Sequence, residues 1–168
     1  MSLSFSTIQQ LAEPIGVDPC FIWAVASNES ANKGFNADGT IIVRFEKHVF
    51  IRELKKRKAW SETIGAASKL TGVRWATLNR AIALHHEAAL CSASFGMFQI
   101  MGFNHGLCGF DSVFDFVQAL QKGEEEQLQA FLAFIRHENL IPALTRALSG
   151  RWRLMNPPTR GLMLTAPL

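Results

Sequence analysis

The residues best placed to do chemistry surround one acid. Glu29 lies at the end of an apolar stretch, CFIWAVASNES (Cys20–Ser30), that follows Asp18-Pro19. Aspartate before proline is a helix-start signal: the carboxylate accepts from a free N–H, and the φ of proline is already helical. Phe21, Ile22, Val25 and Ala26 then recur at helical spacing, so the helix delivers Glu29 at its C-terminal end. A carboxyl there faces the negative end of the helix dipole. If aromatic side chains also shield it, both effects disfavour the ionised form and raise its pKa. An acid that keeps its proton near neutral pH can give it to a bridging oxygen as a C–O bond breaks, the task of the general acid in glycoside cleavage. The same position also suits an ordinary solvent-facing glutamate.

The elements that must hold this acid are mostly helical. Ser6 with Gln9 forms a capping box for a short first helix that ends near Pro14. After the Glu29 helix, GFNADGTIIVRFEKHVF carries a hairpin signal at Asp38-Gly39, and TIIVRF is β-branched enough to be a strand. RELKKRK reads as a solvated helix face, or else as a basic patch for wall polymers or nucleic acid. Residues 60–75 are weakly patterned and fit a loop. Thr77–Cys91 predicts one helix with Leu78, Ile82, His85 and Ala89 on a face. SASFGMFQIMGFNHGLCGF is too rich in glycine for one long helix, and predicts a helix with a buried turn around it. Asp111 or Ser112 caps the next helix, Gly123 ends it, and residues 124–137 carry Leu128, Phe131, Leu132 and Ile135 at amphipathic spacing. Pro142 opens a last short helix. The expected class is mainly α (α+β) with one small β-hairpin beside a cleft.

With 168 residues the chain is long enough for one domain with a real core. It is 48% hydrophobic and 18% charged, with a net charge of +3 and pI near 9.0. That balance favours acidic partners without choosing among them. The three cysteines, Cys20, Cys91 and Cys108, share no metal-ligand spacing and read as reduced core thiols. His85-His86 lacks a third ligand at useful spacing, so neither metal nor cofactor is expected. The opening MSLSFSTIQQ lacks the basic and apolar regions of a signal peptide, and no run is long enough to cross a bilayer. Synthesis in the cytoplasm is expected, with delivery to the wall by holin-type release or export.

GVDPCFIWAVASNES (Gly16–Ser30) resembles the helix of lytic transglycosylases and goose-type lysozymes that ends in the acid glutamate. SFGMFQIM (Ser94–Met101) is similar to their groove-lining "G-L-M-Q" segment. Taken together, ES…GF..DG..I..FE.H.F and AS.G.FQIMGFNH resemble the N-acetylmuramidase domain of phage endolysins, over Gly16–Ile135. The resemblance implies a lysozyme-like fold and hydrolysis of the β-1,4 bond between N-acetylmuramic acid and N-acetylglucosamine. The partner would then be the glycan strand of peptidoglycan, met by a monomer, with no role for nucleic acid or membrane insertion. Carried over residue by residue, Glu29 matches the acid and Ser30 the serine beside it. Gln99 matches the glutamine whose amide binds sugar. Phe45, Glu46, His48 and Phe50 match "F-E-x-H-x-F", and Asn104 and His105 close the second motif. Phe95 replaces the usual tryptophan, keeping an aromatic face for stacking and losing its N–H. Glu46 is the first choice for a second catalytic carboxylate. On a strand it would share a face with Ile42 and Arg44, opposite Ile41, Val43 and Phe45. An ion pair with Arg44 or Lys47, or support of His48, is the competing reading. His48 and His105 would tune a carboxylate or contact sugar, or serve structure alone.

The resemblance stops at the tail. The family's closing tyrosine-rich segment is replaced by SGRWRLMNPPTRGLMLTAPL, and the chain has no tyrosine at all. Codons compatible with that tail, read in another frame, restore roughly AAYEPAYARSNAYGA. The expected division is a muramidase domain over 1–150 and an atypical tail over 151–168, disordered or frameshifted. Beside hydrolysis two alternatives weigh most, with a basic nucleic-acid module, for which no motif stands in the chain, as the third. One is a lytic transglycosylase that closes a 1,6-anhydro ring; the other is a wall-binding relative with a decayed site.

Overall fold

The computed structural model describes residues 3–142. Helix α1 (Phe5–Ala12) is capped by Ser4, whose hydroxyl accepts from the Thr7 N–H at 3.1 Å. The expected cap, Ser6, lies inside the helix. The chain enters earlier because Leu3 is buried and its N–H donates to the Glu124 carboxylate at 2.7 Å. Pro14 falls in a short 3-10 turn, Glu13–Ile15, that Gly16 closes with φ 75. Helix α2 (Pro19–Ser30) begins as its sequence dictates, with Asp18 accepting from the Cys20 N–H at 2.7 Å.

Three short strands, β1 (Val43–Phe45), β2 (Ala93–Phe95) and β3 (Ile100–Met101), form an antiparallel sheet in the order β1-β2-β3. Val43 lies opposite Phe95, and Phe95 opposite Ile100. The Asp38-Gly39 turn supplies only one bridge, Phe35 to Ile41. The strand after it therefore pairs with β2 and not with its own hairpin partner. The second motif, expected to be helical, is two strands and a 3-10 segment, Gly102–Cys108. Residues 91–98 are buried without a break, and a fully buried run has no helical period to follow. Gly96 (φ 71) and Gln99 (φ 48) then turn the chain between β2 and β3.

Helices α3 (Lys47–Lys56), α4 (Ser61–Ser68), α5 (Trp75–Leu84), α6 (His86–Cys91), α7 (Val113–Leu120) and α8 (Glu124–His137) complete the described chain. Helix α4 replaces the loop expected over 60–75. The single helix expected over Thr77–Cys91 breaks at His85, whose extended backbone (φ −165) lets its ring nitrogen cap α6 through the Ala88 N–H. Ser112 caps α7, and Gly123 separates α7 from α8. Phe45, Phe50, Phe95 and Phe116 are fully buried with Ile8, Ile22, Leu54, Leu78 and Leu128. Each such side chain stabilises the fold by roughly 1.5–3 kcal/mol. The basic run on α3 is only partly a solvated face. Glu53 is buried at 3% exposure and receives Lys56 at 2.8 Å and Arg57 at 2.7 Å. Arg57 also reaches Glu87 on α6 at 2.8 Å, so the run clamps two helices together. Among the described residues no helix is long and apolar enough to cross a membrane. The body of the helix expected from Pro142 and the tail 151–168 lie outside the described residues.

Candidate functional site

Glu29 sits in the last turn of α2, as its sequence requires. The helix is stopped abruptly. Ala31 and Asn32 both take left-handed backbone (φ 54 and 58), and their N–H groups return to the carbonyls of Ala26 and Ser27. Ser30 reinforces that stop: its hydroxyl donates to the Ala26 carbonyl at 3.1 Å and accepts from the Lys33 N–H at 3.2 Å. Its supporting bond is therefore to backbone. Glu29 itself is exposed, and no hydrogen bond or ion pair joins its side chain to another described residue. The aromatic shield expected around this acid is not supplied by residues 3–142. The buried Oδ1 of Asn32 lacks a donor among the described residues.

The end of α2 is tied to the Gln99 turn by a short ladder. Ile42 N–H donates to the Gly34 carbonyl at 3.0 Å, and Gly96 N–H donates to the Ile42 carbonyl at 2.8 Å. Helix α8 locks both loops from behind. The Glu124 carboxylate accepts from the Gly34 N–H at 2.7 Å as well as from Leu3. The buried Gln127 amide accepts from the Met97 N–H at 2.7 Å and donates to the Leu120 carbonyl at 3.0 Å. A Cβ on either Gly34 or Gly96 would run into the Gln127 amide, so both positions must be glycine. Sequence reasoning missed Glu124 and Gln127, because a buried polar residue leaves no mark on an apolar stripe. The two glycines facing them were the available signal.

Along the extended stretch 41–46, Ile41, Val43 and Phe45 are buried, while Ile42, Arg44 and Glu46 share the open face, as the alternation predicts. Glu46 is 27% exposed and pairs with Arg44 at 2.9 Å; His48, largely exposed, lies 3.6 Å from its other oxygen. Behind this face, the Ser94 hydroxyl donates to Gln99 Oε1 at 2.9 Å, and Gln99 Nε2 donates to the Gly96 carbonyl at 2.8 Å. The Gln99 amide thus braces its own turn, with one N–H and one lone pair left over. Phe95 is 1% exposed and packs edge-on against Phe116 at 6.2 Å. It offers no face to a sugar, contrary to expectation: β2 is covered on both sides, and its ring belongs to the core. Phe45 and Phe50 are core partners too, at 5.5 Å. The His105 ring bonds the Phe110 carbonyl at 2.9 Å and so shapes the 3-10 segment; Asn104 beside it is half-buried.

Mostly helical, with a small antiparallel sheet set beside an acid-tipped helix, the fold is of the lysozyme-like class. The chain belongs to the N-acetylmuramidase family, whose sequence profile matches residues 18–155. The crystal structure of the Burkholderia AP3 phage endolysin is similar to it, with a TM-score of 0.75 and 31% identity, over 90% of this chain and 62% of that one. The chain thus spans a little under two thirds of that endolysin's length. No curated protein matches it. The resemblance carried by the two motifs is borne out.

Proposed function

We propose that the domain is a peptidoglycan hydrolase that cuts the β-1,4 bond between N-acetylmuramic acid and N-acetylglucosamine. Glu29 protonates the bridging oxygen, and the departing sugar leaves an oxocarbenium-like centre. Glu46, fixed on the strand face by Arg44, stabilises that centre or orients the attacking water. The Gln99 turn presents its spare N–H to the strand. A glycan lying across the end of α2 supplies the water exclusion that residues 3–142 do not. The enzyme acts on the wall after release or export.

The observation that carries this reading is the abrupt stop of α2 one residue after Glu29, tied by Gly34, Ile42 and Gly96 to the Gln99 turn. The test is lysis of purified peptidoglycan by wild type and Glu29→Gln. Loss of the general acid lowers the rate by roughly 10²–10⁴-fold. An exposed substitution leaves stability within about 0.5 kcal/mol. Equal lysis by the two proteins removes Glu29 from the role. Mass spectrometry of the products separates the chemistries: a reducing muramic acid marks hydrolysis, and a 1,6-anhydro end marks a transglycosylase. Binding without product marks a decayed site.

A further inference from the structure

Between the Asp38-Gly39 turn and the start of α5 lies an open groove of about 440 Å³ whose lining includes neither Glu29 nor Gln99. Asn36, Asp38, Thr40, Ile42, Arg74 and Trp75 line it. Trp75 also lines a second depression of about 420 Å³, as does Thr40, so both residues belong to the wall that the two share. The ring is fixed, because its N–H donates to the Ile41 carbonyl at 2.8 Å. What it presents outward is therefore its apolar surface. Asp38 is equally fixed: one oxygen accepts both the Thr40 N–H at 3.0 Å and its hydroxyl at 2.6 Å. Those bonds hold its carboxyl below the ordinary range, and its second oxygen accepts no hydrogen bond from another described residue. Arg74 is exposed and its guanidinium has no partner among the described residues, unlike Arg44, Arg52 and Arg57.

A rigid aromatic surface, one anchored acceptor and one unengaged planar donor match the chemistry of an amino sugar. A pyranose has an apolar C–H face for the ring and hydroxyl or acetamido groups around its edge for the carboxylate and guanidinium. One charge of each sign gives the groove no bias toward a polyanion such as nucleic acid. Its floor also points along the strand. Ile42 shares its open face with Arg44 and Glu46, and the strand covers about 13 Å from Ile42 to Glu46. We propose that this groove is a distal subsite that binds an N-acetylated hexosamine unit of the same glycan strand whose bond is cut near Glu29. The sugar packs on Trp75 and is held at its edge by Asp38 and Arg74. The proposal rests on the reading of the domain as a glycan-cleaving enzyme.

The test has two arms. In the first, nitrogen-labelled full-length Glu29→Gln protein is titrated with the tetramer of N-acetylglucosamine, and the indole N–H signals are followed. The Trp75 signal, identified by its loss in Trp75→Phe, shifts saturably, while Trp60, exposed at 82%, does not. Arg74→Ala, an exposed substitution, weakens that titration several-fold. No shift at Trp75, an equal shift at Trp60, or an Arg74→Ala titration identical to the parent overturns the proposal. So does a shift produced by a free stem peptide and not by the sugar. In the second arm, the ratio of kcat/KM on long glycan strands to that on the shortest cleaved fragment falls roughly tenfold in Arg74→Ala and Trp75→Phe. An unchanged ratio overturns the subsite. Absence of lysis by wild type overturns the proposed function instead, and the indole titration still decides the groove.

Discussion

Replacing Gln127 tests whether α8 holds the two halves of the site together. Its side chain is 1% exposed and satisfies two backbone groups, the Met97 N–H and the Leu120 carbonyl. Gln127→Met keeps the volume and removes both partners. Each unpaired buried group costs roughly 1–3 kcal/mol, so the variant loses about 3 kcal/mol. With a urea slope near 2 kcal/mol/M, the midpoint falls by about 1.5 M. Gln127→Glu sharpens the test. Its carboxylate still accepts from Met97 but now faces the Leu120 carbonyl, with the buried Glu124 carboxylate one helical turn away. Burial and a neighbouring like charge both raise the folded pKa of this new acid. Its neutral form, which donates to Leu120 as the amide did, is the one the fold accepts. The variant is therefore near wild type below the unfolded glutamate pKa of about 4.3 and loses stability as pH rises through the higher folded value. Urea midpoints of wild type, Gln127→Met and Gln127→Glu, taken as differences at about pH 4 and about pH 7.5, read this directly. A Gln127→Met variant within about 1 kcal/mol of wild type refutes the hub. A Gln127→Glu gap that is the same at both pH values refutes the electrostatic half of the reasoning. A folded Gln127→Met with unchanged kcat removes α8 from any part in positioning.

Burial pushes the Glu53 carboxyl up, but hydrogen bonds from Lys56 and Arg57 outweigh it and hold the group below its ordinary value. Its contribution is then complete above about pH 4.3 and lost as pH falls through the folded value, and Glu53→Gln costs about 3 kcal/mol at neutral pH and flattens the acid limb of the stability profile. Burial raises the Cys91 thiol and pushes Cys108 up to about 12, while Cys20 is exposed. An aromatic disulfide reagent on the native protein labels Cys20, and the other two thiols respond only after unfolding. Phe95→Ala lowers stability by about 4 kcal/mol, measured in urea, and leaves the KM of the folded fraction unchanged, because the ring is core. A raised KM at full stability returns Phe95 to the cleft.

Where the sequence speaks through local chemistry, the structure follows it. Asp18-Pro19 caps α2, Ser112 caps α7, Gly123 parts α7 from α8, and alternation across 41–46 puts Glu46 on the open face. Where burial decides, local signals fail. Residues 91–98 are buried without a break, so their periodicity does not separate strand from helix, and pairing with Val43–Phe45 made Ala93–Phe95 a strand. Helix α4 was missed because its apolar side chains are few: only Ala67 is fully buried. His85 looked like one residue of a continuous stripe, yet its ring does better as a cap for α6. Glu124 lies in the acidic first turn of α8, a favourable place beside the dipole. Its two long-range partners, Leu3 and Gly34, are visible only once the chain has folded.

Among the described residues other than glycine, left-handed backbone occurs at Ala31, Asn32 and Gln99, and also at Lys58 after α3 and Asn139 after α8. Left-handed backbone at a residue other than glycine costs of order 1 kcal/mol, and persists only where its surroundings over-determine it. Ala31 and Asn32 carry it directly after Glu29-Ser30, and Gln99 carries it in the β2–β3 turn. These are the two loops that Glu124 and Gln127 grip, at Gly34, Gly96 and Met97. A helix that frayed gradually would leave Glu29 on a loose last turn, and a relaxed β2–β3 loop would free the Gln99 amide to wander. Two strained stops prevent both, and one buried helix start, that of α8, supplies the hydrogen bonds that keep them closed. The stability spent on polar burial in α8 therefore reappears as fixed geometry at the acid, with the buried Glu124 and Gln127 standing behind an exposed Glu29.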